Sequence, residues 1–266
     1  MRIANVHLTN RRKGPEAITP ATWLLFAGLS VMLLATPASA ECDDSAKRGV
    51  DWSGCSKANL VLSRRDLAGS VLNRARLTST DFSASNLSGA RLTEAEVSFV
   101  RFEGVDLSGA DFTKASGNRT NFTRAGLRQA RFGAAEFSRS SFAQAVLAGS
   151  SFAKAEVNRS TFEGADLTGA DMSKAELARV VLTNAKVSDV TFSYSNLARA
   201  DMRGLSLEGA DLTGAYLYLT RLAGAELSQA RGLKQEQLDL ACGSNETKLP
   251  NGLKPPETWP CSENPD

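Results

Sequence analysis

Every fifth residue from Leu62 to Leu227 is Leu, Phe, Val or Met, with the single exception of Gly117. Two residues before each of these centres sits Ala, Ser, Thr or Val, except at Leu60, Arg65 and Leu205. A period of five suits neither common element. On an α-helix, five residues rotate a side chain by about 140°, so no apolar stripe forms. A strand demands alternation with period two. A chain that keeps one large and one small apolar residue in every five must turn a corner once per repeat. That is the pattern of a solenoid.

The corners can be counted from the same residues. Apart from Phe26 and Phe99, every Phe falls on a centre, and all of those but Phe137 have numbers ending in 2. Phe82, Phe102, Phe122, Phe142 and Phe162 recur every 20 residues. Phe112, Phe132, Phe152 and Phe192 form a second series, offset by half that step, with Met172 in line. Leu87, Leu107, Leu127, Leu147 and Leu167 hold the centres between. Positions ending in 9 settle the period: Gly89, Gly109, Gly149, Gly169 and Gly209 alternate with Arg119, Arg139, Arg159, Arg179 and Arg199. Residues 20 apart share an environment, so one coil has four five-residue sides. The run makes about eight coils, a rod about 40 Å tall at roughly 4.8 Å per layer.

The stretches ADLTGADM (Ala165 to Met172) and EGADLTGAYL (Glu208 to Leu217) carry an A-(D/N)-L-x-x pattern. In this the chain resembles the pentapeptide-repeat family over about two thirds of its length. The resemblance implies an all-β solenoid, a right-handed quadrilateral β-helix. One quintet would form each face, with the centre and the small residue inward and the other three positions outward. VDWSGC near the start, with LDLACG and LPNGL near the end, is similar to exported bacterial members of the family.

The ends predict export. Arg11, Arg12 and Lys13 precede the apolar run TWLLFAGLSVMLLA (Thr22 to Ala35), and Ala38-Ser39-Ala40 is a small-residue cleavage site. The run is short for a transmembrane anchor, the alternative. Glu41 before Cys42 argues against lipidation, and Lys13-Gly14-Pro15 against a twin-arginine route. The chain then divides into a signal peptide (1–40), an N-terminal cap (41–59), a β-helix (60–231) and a C-terminal cap and tail (232–266). Cleavage near Ala40 places the mature chain in the periplasm or outside the cell, with no stable membrane anchor. Four Cys remain, one pair before the repeats (Cys42, Cys55) and one after (Cys242, Cys261). In an exported chain that predicts two local disulfides; metal binding is the alternative, but no CxxC accompanies them. Trp52 and the first disulfide loop would cover the open N-terminal coil. LKQEQLDLA (Leu233 to Ala241) predicts a short capping helix, ended by Gly243. Pro250, Pro255, Pro256, Pro260 and Pro265 predict an irregular tail.

Composition excludes several chemistries. The one histidine of the chain, His7, lies in the signal, so the mature chain lacks Ser-His-Asp, Cys-His and histidine–metal arrangements. No phosphate-binding glycine loop is present. Asp106, Asp111, Asp166, Asp171, Asp201 and Asp211 all occupy the outward position before a centre, which is the signature of the repeat and not of tuned acid–base pairs. Gly117 removes one core side chain; one reading is a small pocket, and the one expected is local filling, by Phe137 one coil away or by a backbone shift. No catalytic residue, cofactor or metal is expected. Of 31 basic and 29 acidic residues, four basic and one acidic fall before Glu41, leaving the mature chain near neutrality. Nucleic-acid binding is not expected from that balance. The quinolone-resistance members of the family are acidic rods that imitate DNA and inhibit gyrase. This chain departs from them: its column Asp111, Arg131, Ser151, Asp171, Thr191, Asp211 is broken by a cation and by neutral residues.

One face differs from the others, that with centres Val97, Gly117, Phe137, Val157, Leu177, Leu197 and Leu217. Lys114, Lys154 and Lys174 line the corner before it, and Arg119, Arg139, Arg159, Arg179 and Arg199 the corner after it. Glu96, Glu136, Glu156 and Glu176 run between, and Tyr194, Tyr216 and Tyr218 gather at its C-terminal end. One reading is a salt-bridge ladder, pairing Glu136 with Arg139 or Arg159, Glu156 with Arg159, and Glu176 with Arg179. The other is a partner surface, since Arg and Tyr are enriched at binding hot spots. The function expected is a non-catalytic extracytoplasmic rod, structural or binding an unknown protein partner. The alternative is a binder of an anionic cell-envelope polymer through the Arg and Lys columns.

Overall fold

The computed structural model describes residues 42–261. The segment expected to be a signal peptide, its expected cleavage site and the last five residues lie outside them. The described residues form a right-handed four-sided β-helix. Isolated parallel bridges join residues 20 apart, from Asp51↔Val71 through Asp211↔Arg231. The four faces are named here by their centres: face 1 carries Phe102 and Phe122, face 2 Leu107 and Leu127, face 3 Phe112 and Phe132, face 4 Gly117 and Phe137.

Most quintets distribute their backbone donors in the same way. Phe122 N–H donates to the Ser141 carbonyl in the next coil (2.7 Å), and Ser141 N–H returns to the Thr120 carbonyl (2.9 Å). At the corner, Arg124 N–H reaches the Ala143 carbonyl (2.9 Å), and Ala125 N–H closes the turn on the Phe122 carbonyl (3.0 Å). Every coil templates the next, so the array is stable only as a stack. The turn also requires a left-handed residue at positions ending in 4 and 9. Gly109 has φ 67° there and Arg139 φ 57°.

The inward positions make one continuous core. Phe82, Phe102, Phe122, Phe142 and Phe162 stack face to face with centroids 4.8–5.4 Å apart, and Phe112, Phe132 and Phe152 form a second stack at 4.5–4.8 Å. Rings of the two stacks meet edge to face, as the aromatic quadrupole favours. The Phe137 ring occupies the space where a Gly117 side chain would be. It meets Phe112, Phe122 and Phe132 edge-on, so no pocket opens.

Coiling starts earlier than Leu60. Val50, Trp52 and Cys55 are buried in the first quintets, and Asp51 already bridges to Val71. The apolar period misses this coil because Lys57 takes a centre position, with its ammonium 4.5 Å above the Trp52 ring. Coiling also runs past Arg231, through Arg221↔Cys242 and Glu226↔Lys248. Those steps span 21 and 22 residues, so inserted residues hide them from a search for period 20.

Both ends are closed by a Trp and a disulfide. Cys42–Cys55 and Cys242–Cys261 are bonded, with Cα atoms 5.5 and 5.4 Å apart. The buried Trp52 donates Nε1–H to the Asp44 carbonyl (3.1 Å). Trp259 donates Nε1–H to the Ala241 carbonyl (2.7 Å) and covers the other end. The helix α1, Gln235–Leu238, is shorter than the sequence predicts. It stops well before Gly243, which is not its cap: a side chain there would collide with the Trp259 ring. The helix instead presents Gln237, whose Nε2 donates to the Leu212 and Ala215 carbonyls (2.8 Å each). The Leu212 carbonyl also accepts from the Ala215 N–H (3.1 Å), while Gln237 supplies the Ala215 carbonyl with a donor at the coil end, where no further coil stacks.

Candidate functional site: the arginine corner and face 4

Acidic residues behave differently on face 4 and elsewhere. On faces 1 to 3 the outward residue is often Asp, and its short side chain folds back onto its own turn. Asp111 Oδ1 accepts from the Thr113 N–H (3.0 Å) and hydroxyl (2.6 Å), and Asp211 from the Thr213 N–H (2.9 Å) and hydroxyl (2.6 Å). The Ser53 hydroxyl and N–H hold the Asp51 carboxyl below its ordinary pKa, and those of Thr213 do the same for Asp211. Such carboxylates brace the turn. On face 4 the acids are Glu, whose extra methylene carries the charge outward. Glu136, Glu156 and Glu176 are bridged one above another. Only the ends of this lane find partners: Arg76 Nε donates to Glu96 Oε2 (3.0 Å), and Asn196 Nδ2 to Glu176 Oε2 (2.8 Å).

The expected ladder between this lane and the Arg column does not form. Among the described residues, Arg119, Arg139, Arg159, Arg179 and Arg199 make no ion pair. Several pairs form instead within a column, between equivalent positions of adjacent coils, while Arg124 with Glu103 and Arg203 with Asp201 pair between columns. Arg131 reaches Asp111 (2.9 Å), Arg101 reaches Asp81 (2.9 Å), and Arg74 reaches Glu94 (2.9 Å). The stacking distance suits an ion pair. The Glu lane and the Arg column are different columns, on a flat side and at a corner, and no charge of opposite sign lies above or below Arg139, Arg159 or Arg179.

All five arginines sit in the left-handed region, with φ from 55° to 60°. For a bulky L-residue that conformation costs roughly 1–2 kcal/mol. The diagonally opposite corner meets the same demand mostly with glycine, at Gly69, Gly89, Gly109, Gly149, Gly169 and Gly209, and with Gln129 and Asp189 between them. A side chain added at Gly109 or Gly169 would touch nothing, so crowding does not separate the two corners. Asn118, Ser138 and Asn158 border the Arg column on face 4, and Asn121, Ser141 and Thr161 on face 1. The column continues at one end into Phe99, which is 50% exposed, with the Arg119 guanidinium 6.0 Å from its ring. At the other end it continues into Leu219, also at positive φ.

Behind this corner runs a feature the period-five reading missed. Ser140 Oγ accepts from Thr120 N–H (3.0 Å) and donates to the Gly117 carbonyl (3.1 Å). Ser160 Oγ does the same for Ser140 N–H (3.0 Å) and the Phe137 carbonyl (2.8 Å). The hydroxyls stitch the turns beneath Arg119 and Arg139 from coil to coil. The signal was present as Thr120, Ser140 and Ser160, each following an Arg, but it looks like any small inward residue.

The tyrosines do gather where the sequence places them. Tyr194, Tyr216 and Tyr218 are 63%, 48% and 42% exposed at the C-terminal end of face 4. Tyr216 and Tyr218 lie parallel, 6.1 Å apart. Tyr194 lies over Gly214, where a side chain would come within 2.8 Å of the ring. Among the described residues, no group of His, Cys, Asp and Glu could hold a metal ion, and no helix is long and apolar enough to cross a membrane.

Two family models match the coils. "Pentapeptide repeats (8 copies)" fits residues 55–98 and 98–133, and "Pentapeptide repeat region" fits residues 135–231. The chain belongs to the pentapeptide-repeat family. Members of this family are generally structural or protein-interaction rods without enzymatic activity. Among solved structures, the chain is similar to HetL of the cyanobacterium Nostoc sp. strain PCC 7120, a pentapeptide repeat protein involved in heterocyst differentiation regulation. That likeness is at 25% identity and a TM-score of 0.45, over 69% of this chain and 89% of HetL. QnrB1, a plasmid-mediated fluoroquinolone resistance protein, is similar at 20% identity and a TM-score of 0.43, over 71% of this chain and 94% of its own. A pentapeptide repeat protein of the Arabidopsis thaliana thylakoid lumen is 26% identical over 55% of this chain and 83% of its own, with a TM-score of 0.18. No curated protein matches.

Proposed function

We propose that this pentapeptide-repeat protein is a non-catalytic rod outside the cytoplasm, in the periplasm or secreted, that docks a protein partner on the arginine corner and face 4. The carrying observation is the Arg column. Five arginines hold a backbone conformation that suits glycine, and none is used in an ion pair within the fold. Other non-glycine residues take the same turn at every corner, Gln129, Gln144 and Lys154 among them, so the unbroken succession of like charge is what sets this column apart. Tyr194, Tyr216 and Tyr218 add rigid aromatic area at one end. The compartment rests on the two disulfides, which persist in oxidising surroundings. It rests also on the basic, apolar and small-residue order of positions 11–40.

Crosslinking in the native cell envelope tests this reading. Arg139→Gln with Arg159→Gln, or Tyr216→Ala with Tyr218→Ala, is expected to remove a discrete protein crosslink while leaving the thermal melt unchanged. Arg91→Gln with Arg128→Gln, on other faces, is the charge-matched control. A crosslink that survives the face 4 changes as well as the control overturns the docking surface. Salt-sensitive retention on anionic envelope polymer, with no protein crosslink, would favour polymer binding instead.

A further inference from the structure

We infer that the partner element seated on the arginine corner is an α-helix with one acidic stripe and apolar residues at both ends. This rests on the docking reading above and names the chemistry of its occupant. The sign comes from the column, which presents five unpaired guanidiniums in succession. Along Arg119 to Arg159 the flanking side chains are uncharged amides and hydroxyls, Asn118, Ser138 and Asn158 on one side and Asn121, Ser141 and Thr161 on the other; beside Arg179 and Arg199 they are Ala178, Ala198, Val181 and Asp201, the last paired with Arg203. An anionic ridge can therefore lie along the corner and meet hydrogen-bonding groups on both sides from Arg119 to Arg159.

Spacing decides the secondary structure. Successive arginines are one coil apart, about 4.8 Å. A helix lying along the column brings a side chain back to the same line about every 5.4 Å. Over the four steps from Arg119 to Arg199 the two patterns drift apart by about 2.4 Å, within the reach of a rotating Arg side chain. An extended strand repeats its same-face side chains about every 6.7 Å and drifts by about 7.6 Å, more than a whole coil. One carboxylate per helical turn keeps register with one arginine per coil.

The ends supply the rest. Phe99 and Leu219 occupy the column's own corner position at its two ends, 120 residues or six coils apart, about 29 Å. A helix of about 19 residues spans that length. Apolar anchors beyond a charged centre suit a protein element and not a wholly polar glycan. The Glu136, Glu156 and Glu176 lane beside the corner also repels a chain that is anionic all round, while tolerating one whose acids are confined to a stripe.

The probe is a synthetic helical peptide of about 19 residues, with one Glu per turn along one line and Leu at each end, binding the mature chain in fluorescence anisotropy. The expected result is salt-sensitive binding. It should weaken at least tenfold when the Glu are changed to Gln, and equally when the same Glu are redistributed around the helix. Arg139→Gly with Arg159→Gly should also weaken it at least tenfold while the melting temperature holds or rises, because Gly suits that corner. Phe99→Ala should weaken it several-fold. Equal binding of the redistributed peptide, or tighter Arg-dependent binding of polygalacturonate, overturns the inference; the latter would assign the corner to a uronate polymer. Arg-dependent dimerisation in sedimentation, without peptide binding, would assign it to a second copy and also overturn it. If no peptide binds but envelope crosslinks still require Arg139 and Arg159, the acidic helix is wrong and the docking surface stands. If crosslinks ignore those arginines, the docking surface itself is wrong.

Discussion

Two corners of this rod follow the same backbone path and carry opposite residues. At Gly109, Gly149, Gly169 and Gly209 the left-handed turn residue is the one that physical chemistry prefers. At Arg119, Arg139, Arg159, Arg179 and Arg199 the same turn is held by a long cation, at φ values only a few degrees smaller. The fold accepts either because each turn is fixed by bonds to the coils on both sides. Backbone demand therefore does not choose the residue at this position. What differs is the exterior, and beneath it the hydroxyl ladder that replaces two of the turn bonds on the arginine side. Non-glycine residues hold this turn at every corner, Gln129, Gln144 and Lys154 among them, so the arginine corner is set apart by its unbroken succession of like charge.

The comparison can be broken from the inside. If both corners rest on one continuous core, a cavity on either side should cost the same. Phe122→Ala beside the arginine corner and Phe132→Ala beside the glycine corner should each destabilise by roughly 3–5 kcal/mol. Asn121→Ala, next to Phe122 but outward, should cost far less. Denaturant melts would reject a shared core if the two Phe changes differed severalfold. Disrupting the hydroxyl ladder should have a smaller effect. Ser140→Ala strands the buried Thr120 N–H and should cost about 1–3 kcal/mol. Ala130→Ser on the glycine side should confer no matching gain, because the Ala110 N–H that such a hydroxyl would meet already closes its turn on the Leu107 carbonyl (2.9 Å).

Exchange of the corner residues sharpens the comparison directly. Gly169→Arg should lose roughly 1–2 kcal/mol, and Arg159→Gly should gain up to about 1 kcal/mol. Thermal melts in which Arg159→Gly destabilises would show that the arginine supports the fold, against the docking reading. The smallest effect is in pH. The Asp51, Asp166 and Asp211 carboxyls are lowered chiefly by hydroxyl hydrogen bonds, from Ser53, Thr168 and Thr213. Groups depressed in the folded state contribute stability that is present above their unfolded pKa and lost as pH falls through the folded one. Stability should therefore be flat above about pH 5 and decline below about pH 4. Asp166→Asn should flatten that decline slightly.

Much of this molecule was legible in the residues because a solenoid converts sequence position into spatial position. Phe122 and Phe142 stack because they are 20 apart, and Tyr194, Tyr216 and Tyr218 converge because they share a face and an end. What escaped were departures from the period. Trp52 and Cys55 extend the coil before Leu60, but Lys57 at the next centre breaks the pattern. Trp259 closes the far end from an irregular segment whose path has no periodicity to follow. Gly243 looked like a helix stop and is instead the floor beneath that indole.

The sequence by itself determined the repeat, the four sides, the inward and outward positions, the paired cysteines and the columns of like residues. Each follows from local geometry repeated every 20 residues, so composition at one position predicts its neighbours above and below. Only the tertiary structure decided which charges pair. Several ion pairs form along columns, where coils bring side chains within reach, and others between neighbouring positions, as Arg124 with Glu103 and Arg203 with Asp201; among the described residues none joins Glu156 to Arg159. That choice depends on where long side chains point from a left-handed turn, which spacing along the chain does not contain. It leaves the Glu lane and the Arg column as separate lines of charge facing solvent.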